Sequence, residues 1–150
     1  MKYLITTLAI ITLNVYANDH IDLPKPSECK GSPASYYVAK LLEGGTINGW
    51  LKATKMHEAY YQDRSFDVKV VPSIQYLPNE ENGGPSDDVF RISTHVIHKN
   101  VSELERWNKW NSSERTVSDK KDYDAFVAEY DKNNEVTAKR FVCMLKSLSY

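Results

Sequence analysis

The 150-residue chain carries 19 basic and 20 acidic side chains, a formal charge of -1, 41% hydrophobic residues and two cysteines. Balanced charge gives no general attraction to a phosphate backbone or an anionic lipid surface, so nucleic acid is not an expected partner. The apolar fraction is too high for a disordered chain and two cysteines are too few for a disulfide-dense miniprotein, which leaves one globular domain.

Met1-Lys2 precedes an uncharged apolar run from Tyr3 to Leu13, and Asn14-Val15-Tyr16-Ala17 follows. A basic start, a short hydrophobic stretch and Val15 and Ala17 at the -3 and -1 positions form the pattern of a secretory signal peptide, residues 1–17. The run is shorter than the roughly 20 apolar residues a bilayer span needs, and no later stretch is apolar enough to anchor the chain. The expected mature protein is a single secreted, extracellular domain, 18–150, without a membrane anchor. The competing reading, a buried N-terminal helix, is opposed by the abrupt polarity of Asn18-Asp19-His20.

In an oxidising compartment Cys29 and Cys143 have one intramolecular pairing open to them, a disulfide between the two ends of the domain. A catalytic thiol or an intermolecular bridge are the alternatives, and no protease-type signature surrounds either residue. The sequons Asn100-Val101-Ser102 and Asn111-Ser112-Ser113 mark an exposed, glycosylated segment.

Residues 18–28, with Pro24 and Pro26, read as an extended lead-in. Ser32-Pro33 at one end and Gly44-Gly45 at the other, with Tyr37/Leu41 and Val38/Leu42 spaced i,i+4, predict a short amphipathic helix over Pro33–Glu43. Trp50, Lys52, Thr54 and Met56 alternate with Leu51, Ala53 and Lys55, which predicts a strand over Asn48–Met56. Ser65–Leu77 is a second strand in which Pro72 requires an edge, a bulge or a break. Asn82-Gly83-Gly84-Pro85 is a turn, and Asp88–His98 alternates again, so the two flanking runs form a hairpin. Glu103–Val117 is strand or irregular. Tyr123, Phe126, Val127 and Tyr130 suit either a helix or a strand, as do Phe141, Val142 and Leu145; the turn-like Asp131-Lys132-Asn133-Asn134 favours two strands.

No catalytic motif and no nucleophile-and-base pair is present, so no enzyme activity, cofactor or metal is expected. His95 and His98, three apart on a strand, point to opposite faces and cannot share an ion. Glu80-Glu81, Asp87-Asp88 and Asp122/Asp124 sit beside turns as solvated charges. The ten tyrosines, three tryptophans and four phenylalanines are more informative, because large surfaces with polar tips suit a ligand cavity or a protein interface. Phe66, Phe90, Phe126 and Phe141 are expected in the core. Tyr36-Tyr37, Tyr60-Tyr61 and Trp107-Asn108-Lys109-Trp110 are candidates for a mouth or a surface patch.

Ser27-Glu28-Cys29-Lys30-Gly31-Ser32, Gly49-Trp50-Leu51-Lys52-Ala53-Thr54, Asp122-Tyr123-Asp124-Ala125-Phe126-Val127 and the late Cys143, taken with one helix followed by antiparallel strands, resemble the divergent salivary lipocalins of blood-feeding arthropods such as ticks. The other disulfides common in that group and its amine-capture pattern are absent. The resemblance implies a mainly β fold, an antiparallel barrel with one short N-terminal helix. Trp50, Phe66, Val68, Phe90 and Ile92 would line or floor it, and Tyr36 and Tyr37 would sit on the closing helix. It also implies a secreted salivary modulator of host responses that sequesters a small apolar or amphipathic ligand. The alternative is an α+β, cystatin-like sheet packed on the Pro33–Glu43 helix, with a filled core, binding and inhibiting a host or partner protein. A closed barrel favours the first, an open sheet the second.

Overall fold

The computed structural model describes residues 25–81 and 83–145, so the expected signal peptide lies outside the described residues. After a single turn of 3-10 helix at Pro26–Glu28 the chain forms β1 (Ser32–Leu41), α1 (Ile47–Gln62), β2 (Val68–Pro78), β3 (Pro85–His98), α2 (Val101–Asn111), α3 (Val117–Asn133) and β4 (Asn134–Met144). The strands form one antiparallel sheet in the order β2-β3-β1-β4. Two interleaved split βαβ units generate that order, with α2 added ahead of α3.

The expected barrel is therefore wrong, because β2 and β4 are the two edges of an open sheet and do not pair. The general α+β alternative matches, although its helix at Pro33–Glu43 does not. That segment is β1. Steps of four are even, so Tyr37/Leu41 and Val38/Leu42 share a face of a strand as readily as of a helix. The reverse correction applies to Asn48–Met56, which belongs to α1. Trp50, Ala53, Thr54, Tyr60 and Tyr61 are its buried residues, spaced as one helical stripe, and Thr46 caps it by accepting a hydrogen bond from the Gly49 amide (2.9 Å).

The hairpin expected around residues 82–85 is present as β2 and β3, and Pro72 lies on the edge strand β2, where a missing amide donor is tolerated. Of Glu103–Val117, expected as strand or irregular, the residues through Asn111 belong to the helix α2. Asn100 caps it through the Glu103 amide (2.9 Å), and Trp107 and Trp110, three apart, face the core together. Of the two strands expected after Lys120, only the second forms. Thr116 and Asp119 make a reciprocal capping box that starts α3, and α3 runs directly into β4. Asn133 at that junction is a clamp rather than a turn residue: its Oδ1 accepts from the Thr46 amide (3.0 Å), its Nδ2 donates to the Glu129 carbonyl (2.8 Å), and its carbonyl accepts from the Leu42 amide (3.0 Å).

The helices lie on one face of the sheet. One apolar cluster joins Tyr61, Phe66, Val68, Val70 and Val96, with Trp107 and Trp110 packed on it. The other joins Trp50, Ala39 and Ile92, flanked by Leu41, Ile74 and Tyr130. Arg64 ties the end of α1 to the start of α3. Its guanidinium donates to Asp119 and Asp122 (2.8 Å each) and to the Tyr60 carbonyl (2.9 Å), and lies 3.9 Å from the Tyr60 ring centroid. The disulfide Cys29–Cys143 is formed, with a Cα–Cα distance of 5.7 Å. Among the described residues no helix is long and apolar enough to cross a membrane.

Candidate functional site

α1 covers the β2 side of the sheet, whereas α3 packs chiefly on α1 and meets β4 only sparsely. The helix-facing side of β4 is thus left without a roof, and Val136 and Phe141 remain 51% and 60% exposed there. Between this half of the sheet and the helices lies a groove of about 840 Å³. Its floor comes from Tyr37 and Ala39 of β1, Thr94, Val96 and His98 of β3, and Val136, Lys139 and Phe141 of β4. Its helical wall comes from His57 and Tyr61 of α1 and from Tyr123, Phe126 and Tyr130 of α3, with Trp107 of α2 closing one end.

The rings are ordered by one another. His57 stacks on Phe126 (centroids 4.3 Å apart, planes at 9°) and on Tyr61 (5.3 Å, 29°), and its Nδ1 is 3.4 Å from the Tyr130 hydroxyl. Trp107 meets Tyr61 edge to face at 4.6 Å. Burial pushes the His57 imidazole down to about 4, pushes the Tyr61 and Tyr130 phenols up, and lowers His98, with the Glu103 charge opposing that last shift. At neutral pH the groove therefore presents uncharged rings. Two polar side chains in it, His98 (3% exposed) and Asn134 (7%), have a buried atom, Nδ1 and Oδ1, without a hydrogen-bond partner among the described residues.

His57 sets a pH dependence. Above pH 6.5 its ring is neutral in folded and unfolded chains alike; between 6.5 and about 4 the unfolded chain binds a proton that the folded one excludes, so stability falls as pH falls through that window. A drop from pH 7 to pH 5 is expected to cost on the order of 2 kcal/mol at this residue. The measurement is the urea midpoint at both pH values, with His57→Phe losing that part of the slope and His98 supplying a remainder. An identical slope in wild type and variant would exclude His57 as its source.

Of the seven residues expected to bind ligand, only Tyr37 lines the groove. Trp50, Val68 and Ile92 are buried in the core, and Phe66 is buried against Trp107 and Trp110. Phe90 is 48% exposed toward the hairpin end and Phe141 is exposed on the groove floor, so both core assignments fail. Tyr36 points to the opposite face of the sheet, stacked on His95 at 4.5 Å, and its hydroxyl accepts from Gln75 (2.7 Å) and Ser93 (3.2 Å). The aromatic pairs fared better, since Tyr61 and Trp107 both line the groove. His95 and His98 do point to opposite faces. Asn100 and Asn111, the expected glycosylation positions, are exposed at the two ends of α2, and Asn111 reaches the groove rim. His57, Tyr123, Tyr130, Arg115 and Lys139 were not expected; the i,i+3,i+4,i+7 stripe of Tyr123, Phe126, Val127 and Tyr130 was the readable signal for α3's share.

No protein-family model matches the sequence, and no curated protein does. A solved structure to which the chain is similar is a dimeric protein of unknown function and ferredoxin-like fold from Bacteroides fragilis, 10% identical, with 73% of this chain and 92% of that chain covered at a TM-score of 0.36. The lipocalin resemblance is withdrawn, and the salivary role it implied goes with it. The open β2-β3-β1-β4 sheet, whose edge strands do not pair, has no barrel interior.

Proposed function

We propose that this is a secreted, non-enzymatic binding protein that sequesters a small apolar or amphipathic ligand in the groove between β1, β4 and the helices. The observation that carries the reading is the groove itself: about 840 Å³, walled by aromatic rings that are neutral at physiological pH, with charged and polar side chains interspersed among them. Ligand sites have this size and commonly set polar groups among apolar walls. The open sheet removes the barrel interior but not the cavity, because α3 stands off from β4. Affinity comes from burial, roughly 5 kcal/mol for each 200 Å² of apolar surface removed from water. The signal-peptide pattern, the Cys29–Cys143 disulfide and the exposed sequon asparagines support action outside the cell.

Nile red, a neutral apolar probe, is expected to bind saturably at one equivalent with a blue-shifted emission. Phe141→Ala, at an exposed position on the groove floor, should weaken it about tenfold, while Phe90→Ala, outside the groove, should leave it unchanged. Absence of saturable binding, or the opposite ranking of the two variants, would overturn the reading. One observation favours a second reading, a partner protein: Tyr76, Leu77, Val89 and Phe90 are 40–50% exposed together toward the outer end of the β2–β3 hairpin.

A further inference from the structure

Four charged residues line the groove: Arg115, Asp131, Glu135 and Lys139. Their partners divide them. Glu135 is neutralised by Lys40 at 3.0 Å, whereas neither Arg115 nor Lys139 forms an ion pair among the described residues. Arg115 donates a hydrogen bond to the neutral Asn111 Oδ1, and each of the two cations is held over a ring of the groove. The Lys139 ammonium is 5.1 Å from the Tyr37 centroid and the Arg115 guanidinium 4.8 Å from that of Tyr123.

The charges are also separated along the groove. Lys139 pairs in register with Tyr37, midway along β1, and Arg115 stands just ahead of α3, near the end of the sheet where α1 finishes. Asp131 and Glu135 flank the α3–β4 junction, opposite Leu41 at the far end of β1. His98, buried and with Nδ1 unpartnered, belongs to the cationic end, since β3 carries it past Val96 toward Tyr61 and Trp107. From Arg115 at that end to Lys139 midway, the groove thus offers two cations without carboxylate partners and, at His98, an unpaired ring nitrogen, while the carboxylates Asp131 and Lys40-paired Glu135 stand at the far end. Between them lie His57, Tyr61, Phe126 and Tyr130.

We infer that the ligand is an amphiphile with one anionic oxygen head group, a carboxylate of the long-chain acid class, oriented with the head at Arg115 and Lys139 and the apolar body along the rings toward Tyr130. The inference rests on the groove being a ligand site and adds the class and direction of what enters it. Arg115 beside the helical wall and Lys139 on the floor both favour an anionic oxygen group, and charge-assisted hydrogen bonds are roughly twice as strong as neutral ones. Neither cation must break an existing ion pair to make them.

The test displaces Nile red with dodecanoate, methyl dodecanoate and dodecylamine, from wild type and from an Arg115→Gln/Lys139→Gln variant whose fold is checked by far-UV circular dichroism. Dodecanoate should bind at least tenfold tighter than the ester or the amine. The double variant should lose about tenfold for the acid and nothing for the ester, and the acid's advantage should shrink with added salt. Equal or tighter binding of the ester or the amine, or equal losses for acid and ester in the variant, would overturn the anionic assignment while leaving the groove a ligand site. If Nile red itself does not bind, both readings fall together.

Discussion

Replacing both cysteines, Cys29→Ser with Cys143→Ser, is expected to lower the folding free energy by about 4 to 5 kcal/mol and the thermal midpoint by on the order of 15 °C. The bridge spans 114 positions in sequence, so in the chain-entropy model it removes close to the largest loop freedom this chain has when unfolded. The folded state also depends on it locally. β4 is an edge strand hydrogen-bonded on one side only, to β1, and Cys143 lies near its end, two residues beyond Phe141 of the groove floor. The double variant should therefore lose groove binding at temperatures where far-UV circular dichroism still reports a folded chain, because β4 loosens first. Urea titration of wild type and variant measures the stability. A difference below about 1 kcal/mol would mean that the unfolded chain is already compact enough for the tie to restrict little.

Trp50→Ala carries the second large effect, a loss of about 3 to 5 kcal/mol. Trp50 is 1% exposed, packs against Ala39 and Ile92 with Leu41, Ile47, Ile74 and Tyr130 around them, and donates its indole N–H to the Thr94 hydroxyl at 3.2 Å. Truncation removes the largest fully buried side chain and deprives Thr94 of a donor inside the core. Trp50→Phe keeps most of the volume and should cost only about 1 to 2 kcal/mol. The pair also separates two roles for this residue. As the floor of a barrel, Trp50 would contact ligand and Trp50→Phe would change binding; as the core of a sheet-and-helix sandwich it should leave Nile red affinity as in wild type. Urea unfolding with probe titration reads both.

How much of the site was legible follows from periodicity. β2 with its lead-in and β3 carry period-two stretches, Phe66, Val68 and Val70 before a Gly-Gly-Pro turn and Phe90, Ile92, Thr94 and Val96 after it, so the hairpin could be read. β1 could not be separated from a helix on its i,i+4 pairs, and Asn48–Met56 of α1 reads as a strand when taken alone. Its helical stripe shows only when the window extends through Tyr60 and Tyr61. The capping patterns were better signals than the apolar ones: Thr116-Val117-Ser118-Asp119 and Asn100-Val101-Ser102-Glu103 both mark helix starts, and both caps form. Taking Asp131-Lys132-Asn133-Asn134 for a turn cost α3, because Asn133 bonds the Glu129 carbonyl within the helix and the distant Thr46 and Leu42 segment rather than closing a local turn.

By itself the sequence determined the disulfide partners, the β2–β3 hairpin, the opposite facing of His95 and His98, and an aromatic surplus larger than a small core needs. Those are consequences of covalent choice, of a period of two, and of composition. The strand order and the groove were decided only by the tertiary structure. Whether α3 lies down on β4 or leans on α1 depends on contacts such as Arg64 with Asp119 and Asp122, made across more than 50 positions, and from that lean come the uncovered face of β4 and the gathering of His57, Tyr37, Trp107 and Phe126 around one cavity. No local pattern encodes it, because each of those rings alone is an ordinary core residue; their common opening is a property of how two layers fail to close.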